Sequence, residues 1–436
     1  MFNNRRKSGI STIIFSVLTL LLLLGDITIG LEVNEFIYVA VFVTIFALSK
    51  KENIIEMLCF FFPLSFHVSS VTYIWLAVLF ILIVKDRFRF QVRRTAIIAF
   101  FSLLELLAHY LYEISDVNRM GGYLLCMALM FYLIYEEKAT IDYEKCLILY
   151  AYGVFALCAI YLENAISHAP SGWMSMLSTG TLRIGGAVNS AITDMDIDLN
   201  ANTLAYCSLT GTVTSIVLLQ TKIFDKRIKK IIFIVQLIFV TAVGALTVSR
   251  SWLLVFAISL VFYCIVQKNT PKNFLKYTTI ILIITLSIVL LFLQGDNMFI
   301  NAFISRFANS DLRSAAGRVE IFNAYMKLFF LSNKYMIFGT GVTDYIKVTD
   351  MWQSIHMGFQ QILICLGIPG GIIFLYVLFK PTFFAIKRKV LLKYWIVIIS
   401  ILLFTQTIQF LNPWLIMLPY VIGVYCLRYG LKNQKL

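Results

Sequence analysis

His356 and five arginines, Arg183, Arg250, Arg306, Arg313 and Arg318, are the residues whose types and order suggest chemistry. An imidazole with an unperturbed pKa of about 6.5 is largely neutral near pH 7 and can take a proton from a hydroxyl. A guanidinium is planar and holds phosphate or carboxylate through paired N–H···O bonds, which lysine cannot reproduce. Four of these residues also have a plainer reading. A histidine at a helix end serves as an interfacial hydrogen-bonder, Arg250 in the tight TVSRS turn as an interfacial anchor, Arg183 in TLRIGGAVN as a solvated charge, and Arg318 as a side chain snorkelling among headgroups.

The elements that carry these residues follow from composition. Of the 436 residues, 60% are hydrophobic and 14% charged. Apolar runs recur from Ile10 to Leu427. A helix of roughly 17 to 25 apolar residues crosses a bilayer, because its backbone polar groups are satisfied within the segment. The sequence thus predicts an all-α polytopic membrane protein, treated as one membrane domain over residues 1–436. About fourteen spans are expected, near 10–25, 34–49, 53–67, 70–84, 95–112, 120–135, 146–163, 200–219, 231–247, 250–267, 277–293, 355–379, 394–411 and 414–428. The first follows Arg5, Arg6 and Lys7 as a signal sequence would, but GDITIGLEVNE offers no small residues at cleavage spacing, so an uncleaved helix is expected.

An even span count puts both termini on one side, and the positive-inside bias makes that side cytoplasmic. On this topology 28 of the 37 Lys and Arg residues fall inside, so the net charge of +14 reflects topology and gives no sign of nucleic-acid binding. Six of the nine left outside are arginines, Arg119 and the five named above, against the usual sorting.

Two outer stretches are long enough to build a site, residues 164–199 and a large loop over 294–354 between the eleventh and twelfth spans. Loops of that length are uncommon unless functional. Within the second, Arg318 to Leu331 has an amphipathic pattern, with Ile321, Phe322, Tyr325, Leu328 and Phe329 on one face, as expected of a helix lying on the outer membrane surface. Arg318 shares that face at the N-terminus, where the helix dipole favours an anion. Arg306 and Gly317 stand in an R-x10-G relation, and Gly341 closes a GxG in FGTGV.

Glu105 and His109, four apart in the fifth span, are either a functional pair or a mutually bonded packing pair. The acidic run DMDIDLN, residues 194–200, begins like a calcium loop but has Leu199 where glycine is needed and Ala205 where an acid is needed. The eight cysteines form no CxxC, and no disulfide, zinc or other metal site, and no cofactor, is expected. Neither P-loop, GxGxxG, HExxH nor GxSxG is present.

Taken in order, TLRIGGAVNS, NANTLAYCSLTG, LTVSRSWLLVF, SRFANS, SAAGRVEIF, FGTGV and IHMGFQQILICLGIPGG resemble the O-antigen ligase and polysaccharide polymerase superfamily of bacterial envelopes. The likeness covers residues 180–380. Many members carry Asn after the histidine, where this chain has Met357. The resemblance implies a glycosyltransferase of the bacterial cytoplasmic membrane that works on the outer face without metal or nucleotide sugar. Its substrate would be oligosaccharide repeats linked to undecaprenyl diphosphate, with a chain-length regulator and a flippase as partners. In that scheme His356 is the catalytic base, and Arg183, Arg250, Arg306, Arg313, Arg318, Gly317 and Gly341 bind substrate. The span count and the two long outer loops lean toward a polymerase. The alternatives are a ligase delivering finished glycan to a carrier, a flippase or a proton-coupled transporter using Glu105 and His109.

Overall fold

Most apolar runs within the described residues fold as helices, which close their own N–H···O=C bonds. The computed structural model describes residues 34–64, 71–86, 92–114, 117–136, 141–168, 182–184, 186–187, 201–220, 227–266, 318–411 and 417–434, with the isolated positions 17 and 21. Among these, four helices are long and apolar enough to cross a membrane: Tyr143–Glu163, Ala201–Leu219, Arg227–Leu246 and Gly358–Lys387. Shorter apolar helices accompany them over Val39–Leu48, Ile74–Lys85, Thr95–Leu111, Met120–Ile134 and Arg250–Val266. The expected spans near 10–25 and 277–293 lie outside the described residues, apart from positions 17 and 21.

The packing divides the chain, which the sequence reading treats as one domain, into two units. The first comprises residues 1–153, 317–390 and 405–436. It contains α1 (Glu35–Leu48), α2 (Lys51–Leu64), α3 (Val71–Lys85), α4 (Val92–Leu111), α5 (Val117–Ile134) and the start of α6 (Tyr143–His168). Later in the chain it adds α10 (Arg318–Leu331), α11 (Asn333–Phe338), α12 (Tyr345–Val348), α13 (Gly358–Lys387) and α15 (Met417–Asn433). Helix α5 packs on α3, α4 and α15, while α13 packs on α4, α10, α11 and α15. Phe101, Phe131, Phe374 and Phe410 meet at the centre, with ring centroids 5.4 to 6.2 Å apart.

The second unit comprises residues 154–316 and 391–404. It holds the rest of α6, the two-residue strands β1 (Leu182–Arg183) and β2 (Gly186–Ala187), then α7 (Ala201–Leu219), α8 (Arg227–Leu246), α9 (Arg250–Val266) and α14 (Ile396–Phe404). The strands pair antiparallel, Leu182 opposite Ala187 and Arg183 opposite Gly186. Small hydroxyl residues join these helices: Ser208 Oγ donates to Val240 O at 2.8 Å and Ser259 Oγ lies 2.6 Å from Ser400 Oγ. Such pairs act as polar glue where both neighbours are apolar.

Two expected boundaries differ. The span over 394–411 is instead a 3-10 turn, Leu392–Tyr394, followed by the nine-residue α14. The chain beyond it turns because its backbone groups are bonded to α13. Gly358 N–H donates to Thr405 O at 2.8 Å, and Leu411 N–H donates to Gln361 Oε1 at 2.8 Å. Helix α13 begins after His356, at Gly358, and continues to Lys387, past the expected end at 379.

Candidate active site

Two tyrosines fix the backbone just before His356, and a third tyrosine and a glutamine tie together the elements around it, all within the first unit. Tyr325 of α10 donates its hydroxyl to Gln353 O at 2.9 Å, and the Tyr345 hydroxyl oxygen accepts from Ile355 N–H at 3.1 Å. Their rings lie 6.1 Å apart. Tyr335 of α11 donates to Val348 O at 3.1 Å, and Gln360 of α13 donates to Phe322 O at 2.8 Å, tying α10 to α13. Burial pushes the Tyr325 phenol up to about 12 and the Tyr345 phenol up as well, so both remain protonated, fixed hydrogen-bonders.

His356 itself is half-buried in the extended segment before α13. Burial lowers its pKa from the ordinary value, and the positive charge of Arg318 lowers it further. The first residue of α10 and the segment leading into α13 are thus brought within electrostatic reach. The α10 helix forms over the expected residues, and it buries Ile321, Tyr325 and Phe329 at a spacing of four while Val319, Phe330 and Leu331 are exposed.

Behind this segment α13 is broken, and the break is filled from the FGTGV stretch. Gly367 has φ 68° and ψ −179°, and Pro369 has no N–H to offer Cys365 O. The carbonyls left over are taken by the loop: Thr340 N–H donates to Ile364 O and Gly341 N–H to Cys365 O, each at 3.0 Å. Gly339 and Gly367 approach backbone to backbone. A Cβ on Gly339 would stand 2.1 Å from Cys365 O, and one on Gly367 would stand 2.6 Å from Ile337 O.

The far side of the loop is held by Glu105 of α4, which is 1% exposed. Its carboxylate accepts from Val342 N–H at 3.0 and 3.1 Å, Thr343 N–H at 3.2 Å and the Thr343 hydroxyl at 2.9 Å. His109 Nε2 lies 2.8 Å from Thr343 Oγ1 and 3.7 Å from Glu105 Oε1, and Nδ1 faces Ile114 O at 3.2 Å. Glu105 and His109, which the sequence offered as a functional pair or a mutually bonded packing pair, approach to 3.7 Å and are also joined through the Thr343 hydroxyl.

The predicted residues distribute as follows. Arg318 lies within electrostatic reach of His356. Gly341 is buried, its Cβ direction aimed at Ala108 and Glu105. Arg250 is half-buried at the start of α9 in the second unit, following Ser249, whose hydroxyl donates to Asn202 Oδ1 at 3.0 Å. Arg183 lies on β1 in the same unit. Arg306, Arg313 and Gly317 lie outside the described residues, as do the acidic run 194–200 and the side chain of Arg119. Sequence reasoning missed the tyrosines and the anchoring of the loop by Glu105; the one signal for the latter was the i, i+4 carboxylate and imidazole in an apolar helix. Among the described residues no group of three or more His, Cys, Asp and Glu could hold a metal ion.

No protein-family model matches the chain, and the search of curated proteins finds no relative of it.

Proposed function

We propose that the protein is a polymerase that joins lipid-diphosphate-linked oligosaccharide repeats on the outer face of the bacterial cytoplasmic membrane, with undecaprenyl diphosphate as the lipid and both termini cytoplasmic. The observation that carries this reading is a half-buried His356 whose protonation is disfavoured by burial and by the charge of Arg318. A neutral imidazole is the form a general base needs, and a guanidinium within electrostatic reach of it suits a diphosphate.

The reaction is an inverting glycosyl transfer. His356 takes the proton of an acceptor sugar hydroxyl as that oxygen bonds to the donor's anomeric carbon. The bond from that carbon to the diphosphate oxygen breaks, and its electron pair leaves with the lipid diphosphate. Arg318 offsets the charge that develops there, the kind of electrostatic help that usually dominates catalysis. Arg183, Arg250, Arg306 and Arg313 are proposed to bind donor or acceptor, and about fourteen spans to frame the site. The resemblance of residues 180–380 to polysaccharide polymerases and ligases supports the same reaction class.

In the cell of origin, His356→Ala or Arg318→Ala is expected to leave the protein in the membrane while envelope glycan accumulates as single repeats. Long chains persisting in both variants would rule out this site.

A further inference from the structure

We propose that Glu105 is a positioning residue for His356, acting through the Gly339–Thr343 loop and Tyr345. This deepens the reading of His356 as the base and rests on it. The connection is continuous and lies within one unit. Glu105 binds the backbone N–H groups of Val342 and Thr343 and the Thr343 hydroxyl. Two residues later Tyr345 begins α12, and its hydroxyl oxygen accepts the N–H of Ile355, the neighbour of His356. The loop's other edge is bonded to Ile364 O and Cys365 O of α13, so it is fixed on two sides and cannot shift without moving Tyr345.

The chemistry of the anchor is specific. A buried carboxylate facing backbone donors is costly to replace, because each N–H left without an acceptor loses its partner away from water. The Thr343 hydroxyl has one proton and two neighbours. Given to Glu105, it leaves its oxygen to accept from His109 Nε2–H, while Nδ1–H donates to Ile114 O. The hydroxyl thus joins the carboxylate to the imidazole, and Asp344 is a further acidic group whose charge bears on His109. The pair is thereby committed to the loop. That differs from a transport relay, whose groups must open to water on each side in turn.

The test uses the full chain in lipid nanodiscs. Modification of each histidine by diethyl pyrocarbonate is followed by mass spectrometry, beside chain growth on a synthetic lipid-linked repeat. Glu105→Gln, Thr343→Val and Tyr345→Phe are each expected to raise the modification rate of His356 by at least about threefold. They should lower kcat while leaving KM within about twofold, the pattern of a misplaced base. Thr343→Ser, which restores the hydroxyl, is expected to return both readings to the parent values. Should Glu105→Gln not fold, Thr343→Val and Tyr345→Phe decide alone, since each removes a single oxygen. A His356 modification rate unchanged in both overturns the positioning role, whatever happens to activity. Chain growth surviving in His356→Ala overturns the proposed function instead, so the two failures are distinguishable.

Discussion

At the residue scale the chemistry rests on the protonation of one imidazole. Burial and the Arg318 charge both disfavour imidazolium, so the His356 pKa lies below its ordinary value. Activity that needs the neutral base should rise with pH through that lowered value and level off above it. Arg318→Gln removes the like charge, so the rising limb should move to higher pH while the plateau falls by about 10²- to 10³-fold. A limb that stays in place would separate Arg318 from His356. His356→Ala should lower the plateau by about 10²- to 10⁴-fold, as loss of a general base does. Both residues were legible in the sequence, because an arginine opening an amphipathic pattern and a histidine before an apolar run are local signals. Glu105 was legible only as an expensive residue in a helix, since its partners Val342 and Thr343 lie 237 and 238 positions away.

At the element scale the break in α13 is the feature that places the site. Gly367 and Pro369 announce it in LGIPGG, and FGTGV supplies the missing donors, but nothing local shows that the two stretches meet. The resemblance gave Gly341 as a substrate-binding residue, and in the structure its Cβ direction faces Ala108 and Glu105. Gly339→Ala should destabilise the protein by more than the roughly 1 to 3 kcal/mol of a strained backbone position, since a Cβ meets a carbonyl as well as a positive φ. A thermal melt in detergent checks this, and an unchanged Tm would mean that the loop is not wedged against α13. The boundaries of α10 were read correctly because its burial repeats every four residues, whereas α14 was overestimated because its apolar run continues beyond the point where Gly358 and Gln361 take up the backbone.

At the scale of the molecule, the first unit is pinned by a part-buried charge network. Lys51 at the start of α2 bonds Asp86 beyond α3 at 2.5 Å and Glu136 beyond α5 at 2.9 Å. Tyr132 donates to Asp86, and Arg428 of α15 donates to Glu136 O and Ile134 O. The proposed topology sets all of these at the cytoplasmic side. Lys51→Met removes the cation that Asp86 and Glu136 share and should cost about 1 to 3 kcal/mol in an unfolding measurement. The same topology predicts that a cysteine replacing the exposed Trp352 is labelled from outside intact cells, and that one replacing Lys387 is labelled only after permeabilisation. The charge sorting that gave this topology was legible because lysine and arginine positions are read directly from the chain. The division into two units was not, because it depends on contacts between residues far apart in sequence.

The most direct measurement is chain growth by the purified protein on a synthetic lipid-diphosphate-linked repeat, with no added metal or nucleotide, beside His356→Ala and Arg318→Ala. The parent protein should extend the repeat into long chains, and both variants should leave it as single units. Extension by either variant at the parent rate, or none by the well-folded parent, would contradict the role given to this pair.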